Sequence, residues 1–363
     1  MNALQELYNR YGQSVWLDFI SRDILESGTL KELLNLGVRG VTSNPSIFNK
    51  AISGSALYDD IIGELAAQKA SAFEIYDAIS QRDITAAADE MAGLYEESLM
   101  GDGYVSIEVN PELAHDLEGT LAEARRLWQA INRPNLFIKV PATAVGVEAI
   151  RQLISEGVNI NATLMFSLAD YDAVALAYIE GLELRAAAGE PLDHVASVAS
   201  VFVSRIDTVA DKALAAAGNA ELQGKIAVAN AKLAYARFKE LFRGERWAAL
   251  AEKGARVQRP LWASTGTKNP AYSDVLYVQT LIGPHTVNTM PLKTIEATLD
   301  HVTPARTVDA DIDVARAQIA ALAELGIDLD KITSDLQAAG VKAFADDFHK
   351  LLDVIAKRAQ ALA

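Results

Sequence analysis

The 363-residue chain contains no cysteine. That removes disulfides, thiolate zinc ligands and thiol nucleophiles together. It also has no run near the roughly 18 uncharged apolar residues that a membrane helix needs, so no membrane span is expected. Positive charge is scarce, with 33 Lys and Arg against 48 Asp and Glu and a formal net charge of −15. This disfavours a nucleic-acid partner, because such binding rests on cations that neutralise phosphates. An anionic substrate would therefore have to be met by a local cationic pocket rather than by the field of the whole molecule. The five histidines (His115, His194, His285, His301 and His349) show no His-Glu-x-x-His spacing, so no metal is expected. Neither "GDG" at 101–103 nor "STGTK" at 264–268 completes a phosphate-loop motif, and both read as turns. The opening "MNALQELYNRYGQS" is amphipathic and does not resemble a secretion signal, which with the absent cysteines points to the cytoplasm.

What the chain does have is a regular alternation. Short apolar runs rich in β-formers occur at 15–19, 40–44, 104–109, 136–142, 159–166, 194–203, 257–265 and 285–291. Segments of helical period lie between them, such as "PELAHDLEGTLAEARRLWQAI". Eight such strands predict parallel β/α units, and the count fits a closed (β/α)8 barrel. An open doubly wound sheet is the alternative, but no G-x-G-x-x-G follows the first strand. Residues 45–100 and 206–255 read as long helical connections. Residues 305–363 read as helices appended to the barrel, so that 1–363 forms one catalytic domain with extra N- and C-terminal helices. Periodicity leaves open whether the appendage covers the barrel mouth or lies on its flank.

Strand side chains alternate faces, and a barrel strand meets helices outside and the barrel axis inside. The all-apolar parity must face the helices, which turns the polar parity inward. In "YVSIEVN" that parity holds Ser106, Glu108 and Asn110; in "GVTSNP", Thr42 and Asn44; in "NINATLMF", Asn159, Asn161 and Thr163. Asp18 in "VWLDF" and Lys139 in "LFIKVPA" join them, as do Trp16 and Trp262 by the same count. An inward ring of Asp18, Asn44, Glu108, Lys139, Asn161 and Thr163 is expected, mostly late in the strands, where (β/α)8 enzymes carry their chemistry. A lysine in such a strand could serve as a salt bridge, a phosphate clamp or a nucleophile. Apolar neighbours disfavour the charged form of a lysine, and a neutral amine forms Schiff bases with carbonyl substrates. A carboxylate beside it could then carry protons.

The ordered set "TSNPS", "IEV", "FIKVPAT", "NATLMFS" and "SVFVSRID" resembles the transaldolase family, over about residues 15 to 300. The length and "LWASTGTKNPAYSD" resemble its longer bacterial branch. The resemblance implies a class I aldolase-type barrel of the pentose phosphate pathway, working without metal or organic cofactor. It implies Lys139 as the Schiff-base lysine and Glu108 as acid/base through a water that Thr163 helps to hold. Asp18 would deprotonate the C4 hydroxyl as the C3–C4 bond breaks. Asn44, Asn161 and Ser200 would hold the triose or position the lysine. Arg205 and Ser264 would bind phosphate. Where many relatives carry a second arginine, this chain has Lys268, a point charge without the guanidinium fork. Relatives that release free dihydroxyacetone are shorter, lack the glutamate and carry tyrosine where this chain has Phe202, so the resemblance favours transfer. The implied substrates are sugar phosphates, and the resemblance allows either a monomer or a homodimer.

Overall fold

The computed structural model describes residues 1–362. Its eight parallel strands are β1 (Gln13–Leu17), β2 (Val38–Val41), β3 (Tyr104–Glu108), β4 (Leu136–Pro141), β5 (Ile160–Met165), β6 (Ser197–Phe202), β7 (Arg259–Ala263) and β8 (Thr286–Met290). They pair in chain order, and β8 closes onto β1. This is the (β/α)8 barrel with additional helices, not the open sheet. β1 begins and ends two residues before its apolar run, and each of the other strands is shorter than its run. At β2 the reason is local: Pro45 sets the first turn of the helix Pro45–Gly54, and the Asn44 side chain caps it by accepting from the Ile47 N–H. Thr42 to Asn44 therefore form a strand-to-helix loop instead of continuing the strand.

The outward parity of β3 to β5 (Val105, Ile107, Leu136, Ile138, Val140, Ile160 and Ala162) is fully buried. The interior is layered. At the amino end of the barrel, Asp102 receives hydrogen bonds from Ser14, Trp16, Arg39 and Arg259. Above it Phe137 stacks on Tyr104 and on Trp16, with ring centroids 4.3 Å and 5.9 Å apart. Gly40 lets this layer form, since a Cβ there would lie 2.4 Å from the Trp16 ring. Trp262, unlike Trp16, does not line the barrel. It pairs in register with Val201 and Asn288, and its indole N–H donates to the Leu281 carbonyl. Arg259, which reaches Ser14 and Asp102, takes the inward parity of β7 and turns Trp262 outward.

The C-terminal helix Leu329–Leu362 has 34 residues and is about 50 Å long. It packs on the helices Pro45–Gly54, Asp59–Ala67, Ala72–Glu90 and Ser204–Ala216. Near its start the Gln337 side chain donates to the carbonyls of Ala142 and Leu164, at the carboxyl ends of β4 and β5. Near its end Arg358 donates to Asp59 and to the carbonyls of Ile52 and Ser55. The helix therefore crosses the barrel mouth. Among the described residues no helix is long and apolar enough to cross a membrane.

Candidate active site

A cavity of about 480 Å³ opens at the carboxyl ends of the strands, under the C-terminal helix. Asp18, Asn44, Lys139, Thr163, Ser200, Phe202, Arg205, Ser264 and Lys268 all line it. Glu108 and Asn161 stand behind that wall, on the strands that flank Lys139 in register.

Lys139 is 5% exposed. Its Nζ donates to the Ser43 carbonyl at 3.2 Å, and it lies 3.4 Å from Glu108 Oε2. The second contact is long for an N–H···O hydrogen bond. Among the described residues, neither Glu108 oxygen nor the Thr163 hydroxyl has a hydrogen-bond partner. Buried oxygens are seldom left so, which marks this corner for substrate or water. Burial pushes the Glu108 carboxyl above the usual carboxylate range; Lys139 opposes that shift and Asp18 adds to it. An amine and a burial-raised carboxyl at this separation can hand a proton from one to the other, as imine chemistry requires.

The surroundings are better tied. The Asn161 amide donates to Ser106 Oγ at 3.1 Å and accepts from Ser200 Oγ at 2.7 Å, which fixes the floor beside Lys139. Asp18 sits one residue past β1 and accepts from the Thr42 hydroxyl at 2.7 Å; Thr42 is in turn 2.7 Å from the Thr289 hydroxyl. The Asn44 side chain is engaged as a helix cap, as described above.

Across the cavity, Arg205 lies in the first turn of the helix Ser204–Ala216, just after β6. Among the described residues its guanidinium forms no hydrogen bond or ion pair; its Cζ is 5.1 Å from the Phe202 ring centroid. Burial works against its charge, while Asp18 and Asp347 support it. A free guanidinium at a helix start is suited to a phosphate. Ser264, one residue past β7, lines the same cavity, with its Oγ 2.9 Å from Ser204 Oγ and a left-handed backbone, φ +57°. Leu164 at the end of β5 is also left-handed, φ +60°, where the ladder to β6 shifts register. Such strained positions gather at functional sites. Lys268 is exposed on the rim, shared with a neighbouring cavity of about 350 Å³.

Another cavity, of about 460 Å³, lies beside the turn into the C-terminal helix. No lysine, arginine or histidine lines it, and Asp328 and Asp330 do. Among the described residues no three His, Cys, Asp or Glu side chains gather as a metal site. Sequence reasoning missed the Ser43 carbonyl, and it missed Phe344 and Asp347 of the C-terminal helix, both of which line the cavity. Ser43 lies between the flagged Thr42 and Asn44, but its carbonyl has no side-chain signature. Phe344 belongs to an ordinary amphipathic repeat, and nothing in the repeat names what it packs against.

The comparisons agree with this geometry. A family described as transaldolase/fructose-6-phosphate aldolase matches residues 15–355. The chain is 46% identical to a protein named transaldolase from Trichodesmium erythraeum, across 99% of this chain and 98% of that one. It is 49% identical to one from Thiobacillus denitrificans, across 97% and 99%, and 47% identical to one from Frankia alni, across 98% and 97%. With a family match along nearly all its length and a closed barrel built around a buried lysine, the chain belongs to the transaldolase/fructose-6-phosphate aldolase family.

Proposed function

We propose that the chain is a transaldolase, a transferase that moves a dihydroxyacetone unit between sugar phosphates through a Schiff base on Lys139. The observation that carries this reading is one cavity with a buried amine beside Glu108 on one side and an unpaired arginine on the other. The neutral Lys139 amine attacks the ketose carbonyl, and Glu108, through a water held with Thr163, moves the protons that turn the carbinolamine into an iminium. Asp18 takes the proton of the C4 hydroxyl, the C3–C4 bond breaks, and the aldose departs. The three-carbon enamine stays on Lys139 and adds to a second aldose, and hydrolysis then frees the amine. Asn44 and Ser200 orient the triose, Asn161 holds Ser200 and the floor beside Lys139, Phe202 packs beside the triose, and Arg205, Ser264 and Lys268 hold the phosphate. The donors are sedoheptulose 7-phosphate or fructose 6-phosphate, and the acceptors glyceraldehyde 3-phosphate or erythrose 4-phosphate. This is pentose phosphate chemistry, which we place in the cytoplasm.

The same reading treats the chain as one catalytic unit. The C-terminal helices belong to it because the last of them walls the cavity and the one before it, Ile312–Glu324, packs on the barrel helix Ile226–Leu241, instead of the two forming a core of their own. The cavity walls named above come from one chain, so a homodimer would duplicate the site and not be needed to complete it. The test is acceptor dependence. With fructose 6-phosphate and erythrose 4-phosphate, the enzyme should form glyceraldehyde 3-phosphate and sedoheptulose 7-phosphate. Rapid accumulation of free dihydroxyacetone without an acceptor would reject transfer, and no turnover with any pair would reduce the protein to a sugar-phosphate binder.

A further inference from the structure

An enamine waiting on Lys139 has two fates. Its nucleophilic carbon can add to an aldehyde, which completes transfer. It can instead take a proton from solvent, which gives the dihydroxyacetone iminium; water then adds at the iminium carbon, the C–N bond breaks, and free dihydroxyacetone leaves as the amine is restored. A transferase must make the second route slow. Resting on the reading above, we propose that Phe344 is the residue that does so, by shielding the Lys139 adduct from water.

Phe344 is 5% exposed, lines the cavity, and has its ring centroid 5.6 Å from Lys139 Nζ. One helical turn further on, Phe348 lies beside Glu108 in a small adjoining pocket and packs edge-on against Tyr76, with centroids 5.3 Å apart. Two rings on one helix thus flank the lysine–glutamate pair from the mouth side. Neither ring offers a hydrogen-bond donor to the intermediate; the Phe344 face is close enough to attract a cationic lysine nitrogen, and the apolar bulk of both rings excludes water. The helix is held by Gln337 on the strand ends and by Arg358 at the far side, and His349 Nε2 lies 2.8 Å from Glu112 Oε1 between them. The seat of Phe344 is therefore fixed by the fold and does not depend on a loop.

The test compares product partition, not rate alone. Wild type, Phe344→Ala, Phe344→Leu and Gln337→Ala are each given fructose 6-phosphate with erythrose 4-phosphate, and the ratio of free dihydroxyacetone to transferred product is measured. Phe344→Ala should raise that ratio about tenfold, and Phe344→Leu, which restores apolar bulk, should bring it most of the way back. Gln337→Ala loosens the helix without opening the core and should raise it by a smaller factor. Borohydride trapping of the same proteins separates the two claims. A Lys139 adduct in every variant with an unchanged ratio overturns the role of Phe344 alone, whereas no adduct in the wild type overturns the Schiff-base reading beneath it.

Discussion

The two ends of the barrel interior bury the same kind of group and treat it in opposite ways. At the amino end, Asp102 is 1% exposed and receives bonds from a hydroxyl, an indole and two guanidinium groups. At the carboxyl end, Glu108 is 6% exposed and has one long contact with Lys139 and no aligned donor. A saturated carboxylate holds structure together, because each lone pair has somewhere to go. An unsaturated one costs stability and is available for chemistry. Burial alone would not distinguish them; the count of donors does.

The comparison can be broken at either end. The largest expected effect is at the open end, where Glu108→Gln removes the proton carrier. Turnover should fall on the order of 10²- to 10⁴-fold, while the melting temperature holds or rises. The pH dependence follows from the sign of the shift. Burial raises the folded carboxyl above its unfolded value, so the stability tied to its protonated form is lost as pH climbs out of the ordinary carboxylate range through the raised value. The stability advantage of Glu108→Gln should therefore grow with pH across that window in thermal melts, and wild-type turnover should fall on acidification at a higher pH than an ordinary carboxylate would give. At the closed end, Asp102→Asn leaves two partly buried guanidinium groups, Arg39 and Arg259, without their counter-charge and should cost about 2–3 kcal/mol of stability, less than breaking a fully buried pair. Its kcat per folded molecule should stay within about twofold of wild type; a large loss of kcat with intact stability would erase the contrast.

Two smaller effects sharpen it. Arg205→Ala should raise KM for the sugar phosphates on the order of 10- to 100-fold, the loss expected for charge-assisted hydrogen bonds. Lys268→Ala, at an exposed rim position, should change KM by less than about tenfold, and by less still at high salt, because exposed charges are screened. Steady-state kinetics at two ionic strengths checks both.

The contrast was half legible in the residues. Period-two parity brought Asp18, Lys139 and Thr163 to the inner face without any structure, because each of their strands alternates cleanly against a helix-facing apolar set. It failed for Trp262, where Arg259 claims the inward parity of β7 to reach Asp102. It was silent on Asp102, since "GDG" reads as a turn and nothing local reveals that four distant donors converge there. It was silent too on Phe344, because an amphipathic repeat states which face is buried and not what lies beneath. Alternation puts Asn44 at a strand end, but the following proline and the cap it makes place it at a helix start. Local pattern carried the barrel and its inward face; contacts distant in sequence carried the rest.

The central claim is that Lys139 becomes covalently joined to a ketose. Incubation with fructose 6-phosphate, borohydride reduction and peptide mass mapping tests it directly. The account predicts a reduced triose or hexose adduct on the peptide that contains Lys139, absent from Lys139→Ala. An unmodified Lys139 peptide, or an adduct on another lysine, would contradict it.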